Sequence, residues 1–151
     1  MLWLSIAALV VSTACVCLSR SGLRWAAIMW LGAVAGYMIG SVELYYLLFP
    51  VDLIILTSMA FWRQEINDWW QESVIGLQIV ISVAYLVYAV FAGSAPWLTT
   101  TLIDLANALF LAQVVLVGAG GGWNGYRNVK RLRQQRKSGR NVPISTIWKM
   151  I

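Results

Sequence analysis

The sequence predicts an all-α integral membrane protein of about five transmembrane helices, with an interfacial amphipathic helix in one loop and a basic C-terminal tail. Three observations carry that prediction. Hydrophobic residues make up 60% of the 151 residues and charged ones only 11%, with a mean hydropathy of +0.73, which is too apolar for a soluble domain of this size. The apolar residues come in runs long enough to cross a hydrocarbon core of ~30 Å. Lys and Arg gather mainly at Arg20 and Arg24 and after Tyr126, as expected of segments held on the cytoplasmic side.

The length leaves room for one domain, read as a polytopic membrane part over 1–125 and a tail over 126–151. Its first span is Leu2 to Leu18, which ends at Ser19-Arg20. A secretory signal peptide is the alternative, disfavoured because no Lys or Arg precedes the apolar run. Cys15 and Cys17 lie inside this segment, two positions apart on a helix and pointing away from each other. They do not form a CxxC redox pair and read as bystander thiols.

After the polar connection Ser19–Arg24 comes the central run, Trp25 to Trp62. As one helix, its 38 residues would extend ~57 Å, nearly twice the hydrocarbon core, so the run must fold back. Two crossings over 25–41 and 44–62, turning near Gly40 to Glu43, keep both basic segments on one side. A full span followed by a re-entrant half-helix after Pro50 is the alternative, giving four spans. Gly32, Gly36 and Gly40 recur every four residues, so they share one helix face. In lipid such a face lets two backbones approach closely, and it is read as a helix-packing seam for self-association.

Phe61 to Ser73 places Trp62, Ile66, Trp69 and Trp70 at i, i+4, i+7 and i+8, the spacing of an amphipathic helix in the interface plane. Glu65, Asp68 and Glu72 fall on another face, expected to be solvated. Two further spans follow at 74–91 and 98–117, joined by Gly93-Ser94-Ala95-Pro96-Trp97. The glycines from Gly118 to Gly125 are expected to end the last span and act as a hinge. Beyond them Arg127, Lys130, Arg131, Arg133, Arg136, Lys137 and Arg140 form the pattern that attracts anionic lipid headgroups. Nucleic acid is disfavoured, since no aromatic residue interleaves the run. Pro143, Ile144, Ile147, Trp148 and Ile151 give the tail a short amphipathic anchor.

An ionisable group inside a span costs ~2.5–3.5 kcal/mol on insertion scales and asks for a reason. Glu43, Asp52 and Asp104 are the acids in question. Asn107, three positions from Asp104, can face the same side, whereas Gln113 is nine positions on and about half a turn away. These polar residues read as a proton or ion pathway or a pore wall; the simpler reading places Glu43 and Asp52 at a turn and Asp104 within reach of headgroups.

No histidine is present, which removes imidazole ligation of a metal or haem and the usual general base. No catalytic set, metal site or cofactor motif is recognised. The chain is similar to the tryptophan-rich sensory proteins in size, span number and its nine Trp. Their Trp–Pro motifs are absent, because Pro50, Pro96 and Pro143 stand alone, and no family is assigned. The expectation is a self-associating, non-enzymatic membrane protein, pore-forming or holin-like, in a bacterial or host inner (plasma) membrane with its C-terminus cytoplasmic. The alternative is an anchoring or assembly subunit of a larger membrane complex.

Overall fold

The computed structural model describes residues 2–17, 19–41, 47–63, 68–91 and 96–137, and these are helical throughout apart from short turns, with no strand. The helices are α1 (Leu2–Val16), α2 (Arg20–Ser41), α3 (Leu48–Arg63), α4 (Trp69–Phe91) and α5 (Pro96–Lys137). Among the described residues, three stretches are long and apolar enough to cross a membrane: Ser21–Gly40, Trp69–Phe91 and Trp97–Gln135. The chain is thus all-α and compatible with a membrane location.

Local chemistry sets the helix ends. Ser19 caps α2: its carbonyl accepts from Leu23 N at 2.9 Å, and its hydroxyl accepts from Gly22 N at 3.2 Å, so a donor of the first turn is satisfied. Ser19 N in turn donates to Val16 O at 2.8 Å, which closes α1 against α2 in a tight turn. Pro50 stands in the first turn of α3 and Pro96 opens α5, positions where a missing N–H removes no helical bond. Asp68 immediately precedes α4, with Glu72 in its first turn, both favourable at the positive end of a helix dipole.

Helix α5 is the centre of the bundle, packed on α4, α1 and α2, while α3 packs on α4 and α2. The core holds Leu9 and Val16 of α1, Trp25 and Met29 of α2, Met59 of α3, Trp70 and Val74 of α4, and Val114 and Val117 of α5. Trp25 and Trp70 meet edge to face, with ring centroids 5.5 Å apart. The Trp30 indole donates to Thr13 Oγ1 at 2.9 Å, and Thr13 donates to Leu9 O at 2.7 Å, so a polar tie joins α2 to α1.

The central run folds back between α2 and α3. Two other expectations are corrected. The glycine-rich stretch does not end the last helix. Instead α5 runs unbroken for 42 residues, about 63 Å at ~1.5 Å per residue, across the 125/126 boundary. The physical reason is packing. A Cβ on Gly121 would stand 2.6 Å from Val16 Cγ1 and 3.1 Å from Gly22 Cα, and one on Gly122 would stand 3.2 Å from Cys15 O. These glycines bring α1 and α2 onto the α5 backbone, and that close packing offsets their poor helix propensity of ~1 kcal/mol each.

Nor is there one amphipathic helix over Phe61 to Ser73. Phe61–Arg63 close α3, Asp68 is not helical, and Trp69 opens α4; Gln64, Glu65, Ile66 and Asn67 lie outside the described residues. Trp70 is buried in the core while Trp69 is exposed, so the tryptophans of this segment divide between two helices. The C-terminal anchor, residues 143–151, also lies outside the described residues.

Gly22 packs on Gly121, whereas a Cβ on Gly32 would meet Phe110 Cε2 at 3.9 Å. Helices α2 and α5 therefore run antiparallel. One end of the bundle collects the α1–α2 turn, the end of α3, the start of α4 and residues 118–122. Past that end α5 continues to Lys137. Arg20, Arg24 and the basic part of α5 consequently belong to the same end.

Candidate functional site

A buried polar network joins three helices. Asp52, on the second turn of α3, is buried. Its two carboxyl oxygens are each met from α4: Gln78 Nε2 donates to Oδ1 and the Ser82 hydroxyl to Oδ2. Gln78 and Ser82 are four apart and so share a face, with Ser82 Oγ also 3.0 Å from Gln78 O. From α5, Gln113 Nε2 donates to Gln78 Oε1 at 2.8 Å and to Val74 O at 3.0 Å. Among the described residues, both donors to the carboxyl group are neutral.

Gln113 is wholly buried, and among the described residues its Oε1 has no hydrogen-bond partner; Gln71 Oε1 and Trp70 Nε1 are likewise buried without one. Trp70, Gln71, Val74 and Gln78 lie along the α4 face that packs on α5, so the α4–α5 seam is polar over several turns. Asp52 lies eleven positions before Arg63, the last residue of α3, roughly 16 Å from the basic end at ~1.5 Å per residue. The network therefore sits near mid-bundle.

The other residues singled out in the sequence fall elsewhere. Asp104 and Asn107 are exposed on α5, on the opposite side of that helix from Gln113. They do not join Asp52. Leu105 beside them is also exposed, so the carboxyl group stands on an apolar outer surface. Glu43 lies outside the described residues. Gly32 is in contact with Ile55 Cδ1, 3.1 Å from a built Cβ, while among the described residues Gly36 and Gly40 have nothing within 4 Å. The upper two glycines of the tandem motif thus face open space.

Arg127, Lys130, Arg131 and Arg133 are exposed on the α5 extension, and Arg136 and Lys137 continue that helix. Arg140 lies outside the described residues. At the same end Arg63 pairs with Glu72 at 2.7 Å, Asn124 Nδ2 donates to Asp68 Oδ2, and the Arg24 guanidinium lies 5.8 Å from the centroid of Trp62. Asp68 and Glu72 therefore serve separate contacts and do not share one acidic face. Cys15 and Cys17 are exposed free thiols. Among the described residues, no group of three His, Cys, Asp or Glu side chains could hold a metal ion.

Sequence reasoning singles out Asp52 but misses Gln78 and Ser82. The available signal is their i, i+4 spacing in an otherwise apolar helix. Gln113 is set apart from Asp104 by helix phase, yet only tertiary packing brings it to Gln78. No known family, curated protein or solved structure matches the chain.

Proposed function

We propose that this chain is a polytopic membrane protein that assembles laterally with copies of itself and conducts at the seam between copies, as small channels and holin-like proteins do. All five helices lie in the membrane, with the basic end of the bundle cytoplasmic in a bacterial or host inner (plasma) membrane. The observation that carries the reading is the exposure of Asp104 and Asn107 on the apolar half of α5. A carboxyl group left facing lipid there costs ~2.5–3.5 kcal/mol. Pairing with the Asn107 amide of a neighbouring copy removes that cost and supplies the neighbour with a polar lining. Gly36 and Gly40, open on the antiparallel α2 in the same half of the bundle, allow the close backbone approach such a seam requires. Asp52, Gln78, Ser82 and the Gln113 Nε2 are engaged with one another, and in this reading the aqueous path runs between copies.

The test is the conductance of the purified full-length protein in planar bilayers. Discrete conductance steps are expected for the wild type, reduced or lost in Asp104→Asn and in Gly36→Leu. A silent wild type, shown to be folded and inserted, would overturn conduction. A second reading, an anchoring or assembly subunit, is favoured by a different observation: α5 leaves the bundle as a continuous helix carrying Arg127, Lys130, Arg131 and Arg133 on its surface. That helix would contact anionic headgroups or the acidic surface of another membrane subunit.

A further inference from the structure

The hydrogen bonds around Asp52 fix which of its two oxygens can carry a proton. The chain of bonds begins at Val74 O, a backbone carbonyl that can only accept. It accepts from Gln113 Nε2 at 3.0 Å, so the nitrogen of that amide is turned toward α4. The same nitrogen donates to Gln78 Oε1 at 2.8 Å, so Gln78 presents its oxygen to α5 and its nitrogen to α3. There Gln78 Nε2 donates to Asp52 Oδ1. An amide NH2 group only donates, so a proton on Oδ1 would face another donor. Oδ1 is therefore held as a bare oxygen.

Oδ2 differs, because its partner is the Ser82 hydroxyl, which can both donate and accept. Ser82 Oγ also lies 3.0 Å from Gln78 O, a second acceptor. The hydroxyl thus has two orientations, and rotation about one C–O bond interconverts them. In one it donates to Oδ2 and serves a carboxylate. In the other it donates to Gln78 O and turns a lone pair to Oδ2, where it serves a carboxylic acid. Among the described residues, the other ionisable groups on the packed helices are few. Tyr85 of α4 lies within electrostatic range of Asp52, while Arg20 and Arg24 stand at the basic end of α2, and Tyr37 of α2 and Asp104 of α5 are exposed. A proton on Oδ2 cancels a charge that neutral donors would otherwise hold inside the bundle.

We propose that Asp52 Oδ2 is a reversible proton-binding site, with the Ser82 hydroxyl as the switch that serves both of its states. On loading, a proton taken from water forms the Oδ2–H bond, the carboxylate loses its negative charge, and the Ser82 hydroxyl turns from Oδ2 to Gln78 O. Release reverses all three. The site is complete within one chain, so it depends neither on assembly nor on conduction between copies.

The test is infrared spectroscopy of the full-length protein, titrated with acid in an alkyl glycoside detergent that has no carbonyl group. A matched sample carries carbon-13 in the side-chain carboxyl of aspartate. The carbonyl stretch of a protonated carboxyl group, above the amide I band, is expected at the acid end of the titration. It should move down on labelling, which confines it to Asp52, Asp68 and Asp104. Asp52→Asn should remove it, and the double variant Asp68→Asn, Asp104→Asn should retain it, an assignment that stands even where Asp52→Asn does not fold. With the proton on Oδ2 the carbonyl oxygen is Oδ1. Gln78→Met, which removes the donor to that oxygen, should then raise the frequency more than Ser82→Ala does, and Ser82→Thr should stay close to wild type. The reverse order puts the proton on Oδ1 and overturns the assignment. A labelled band that never forms while the protein stays folded overturns the site, as does one that is lost with Asp68 and Asp104.

Discussion

The indole of Trp70 lies directly against the backbone of Gly120. A Cβ built on that glycine would stand 2.6 Å from both Cδ1 and Cδ2 of the ring, and closer still to Cγ. Trp70, the second residue of α4, is 1% exposed and meets Trp25 of α2 edge to face. One small residue on α5 thus sets how near α4 and α2 come to the central helix.

Gly120→Ala is expected to destabilise the bundle by about 1–3 kcal/mol, the usual cost of overpacking a filled site. Reversible unfolding in mixed micelles would measure it. The cost should shrink in a Trp70→Leu background, because the two positions share the contact and are not additive. Equal loss in both backgrounds would mean that the glycine acts through the backbone alone.

The tandem glycines should separate by function. Gly32→Leu is expected to lower the stability of the single chain, since Ile55 Cδ1 is already 3.1 Å from a built Cβ. Gly36→Leu and Gly40→Leu meet no described neighbour within 4 Å and gain helix propensity, so they should not lower the stability of the single chain. They should nevertheless reduce the assembled fraction seen by cross-linking or light scattering. Unchanged assembly in both would remove α2 from the proposed seam.

Asp52→Asn keeps an acceptor for Gln78 and supplies a donor to Ser82, whose hydroxyl also reaches Gln78 O. Its cost should be small. Asp52→Leu leaves the side chains of Gln78 and Ser82 without their α3 partner and should cost about 1–3 kcal/mol. Denaturation in mixed micelles compares the two. An equal and large loss in both variants would show that the charge on Asp52, rather than its hydrogen bonds, holds α3 to α4.

Trp30→Phe removes the donor to Thr13 Oγ1 and leaves the ring's apolar bulk in place. The expected loss is about 0.5–1.5 kcal/mol, measured by the same unfolding. Thr13→Val, which removes the other partner, should cost a similar amount, and the double variant less than the sum.

Much of the architecture is legible in the one-dimensional pattern. Apolar runs set where helices lie, because a buried or lipid-facing backbone must bond internally. The length of Trp25–Trp62 against bilayer thickness requires a fold-back, and α3 does pack back on α2, with Arg24 over Trp62 and Gly32 beside Ile55. The glycines at 118–122 mislead for a clear reason: local propensity argues for a break there. Propensity knows nothing of Val16, Gly22 and Trp70, which pack closely on a glycine-lined helix surface. The expected interfacial helix fails similarly, since the spacing of Trp62, Trp69 and Trp70 on one notional helix ignores the break at Asp68.

The candidate site divides in the same way. Asp52 is conspicuous in sequence because a lone acid in an apolar helix asks for a partner. Its partners Gln78 and Ser82 stand 26 and 30 positions further along the chain, and no local spacing names them. Helix phase places Asp104 and Gln113 on opposite sides of α5, but cannot tell which side faces inward. By itself the sequence determined the helical class, the approximate helix positions and the clustering of basic residues, since these follow from hydropathy, charge and backbone hydrogen bonding within each segment. Only the tertiary structure decided which glycines are seams, which polar residues meet and which acid is left outside, because those depend on contact between segments distant in the chain.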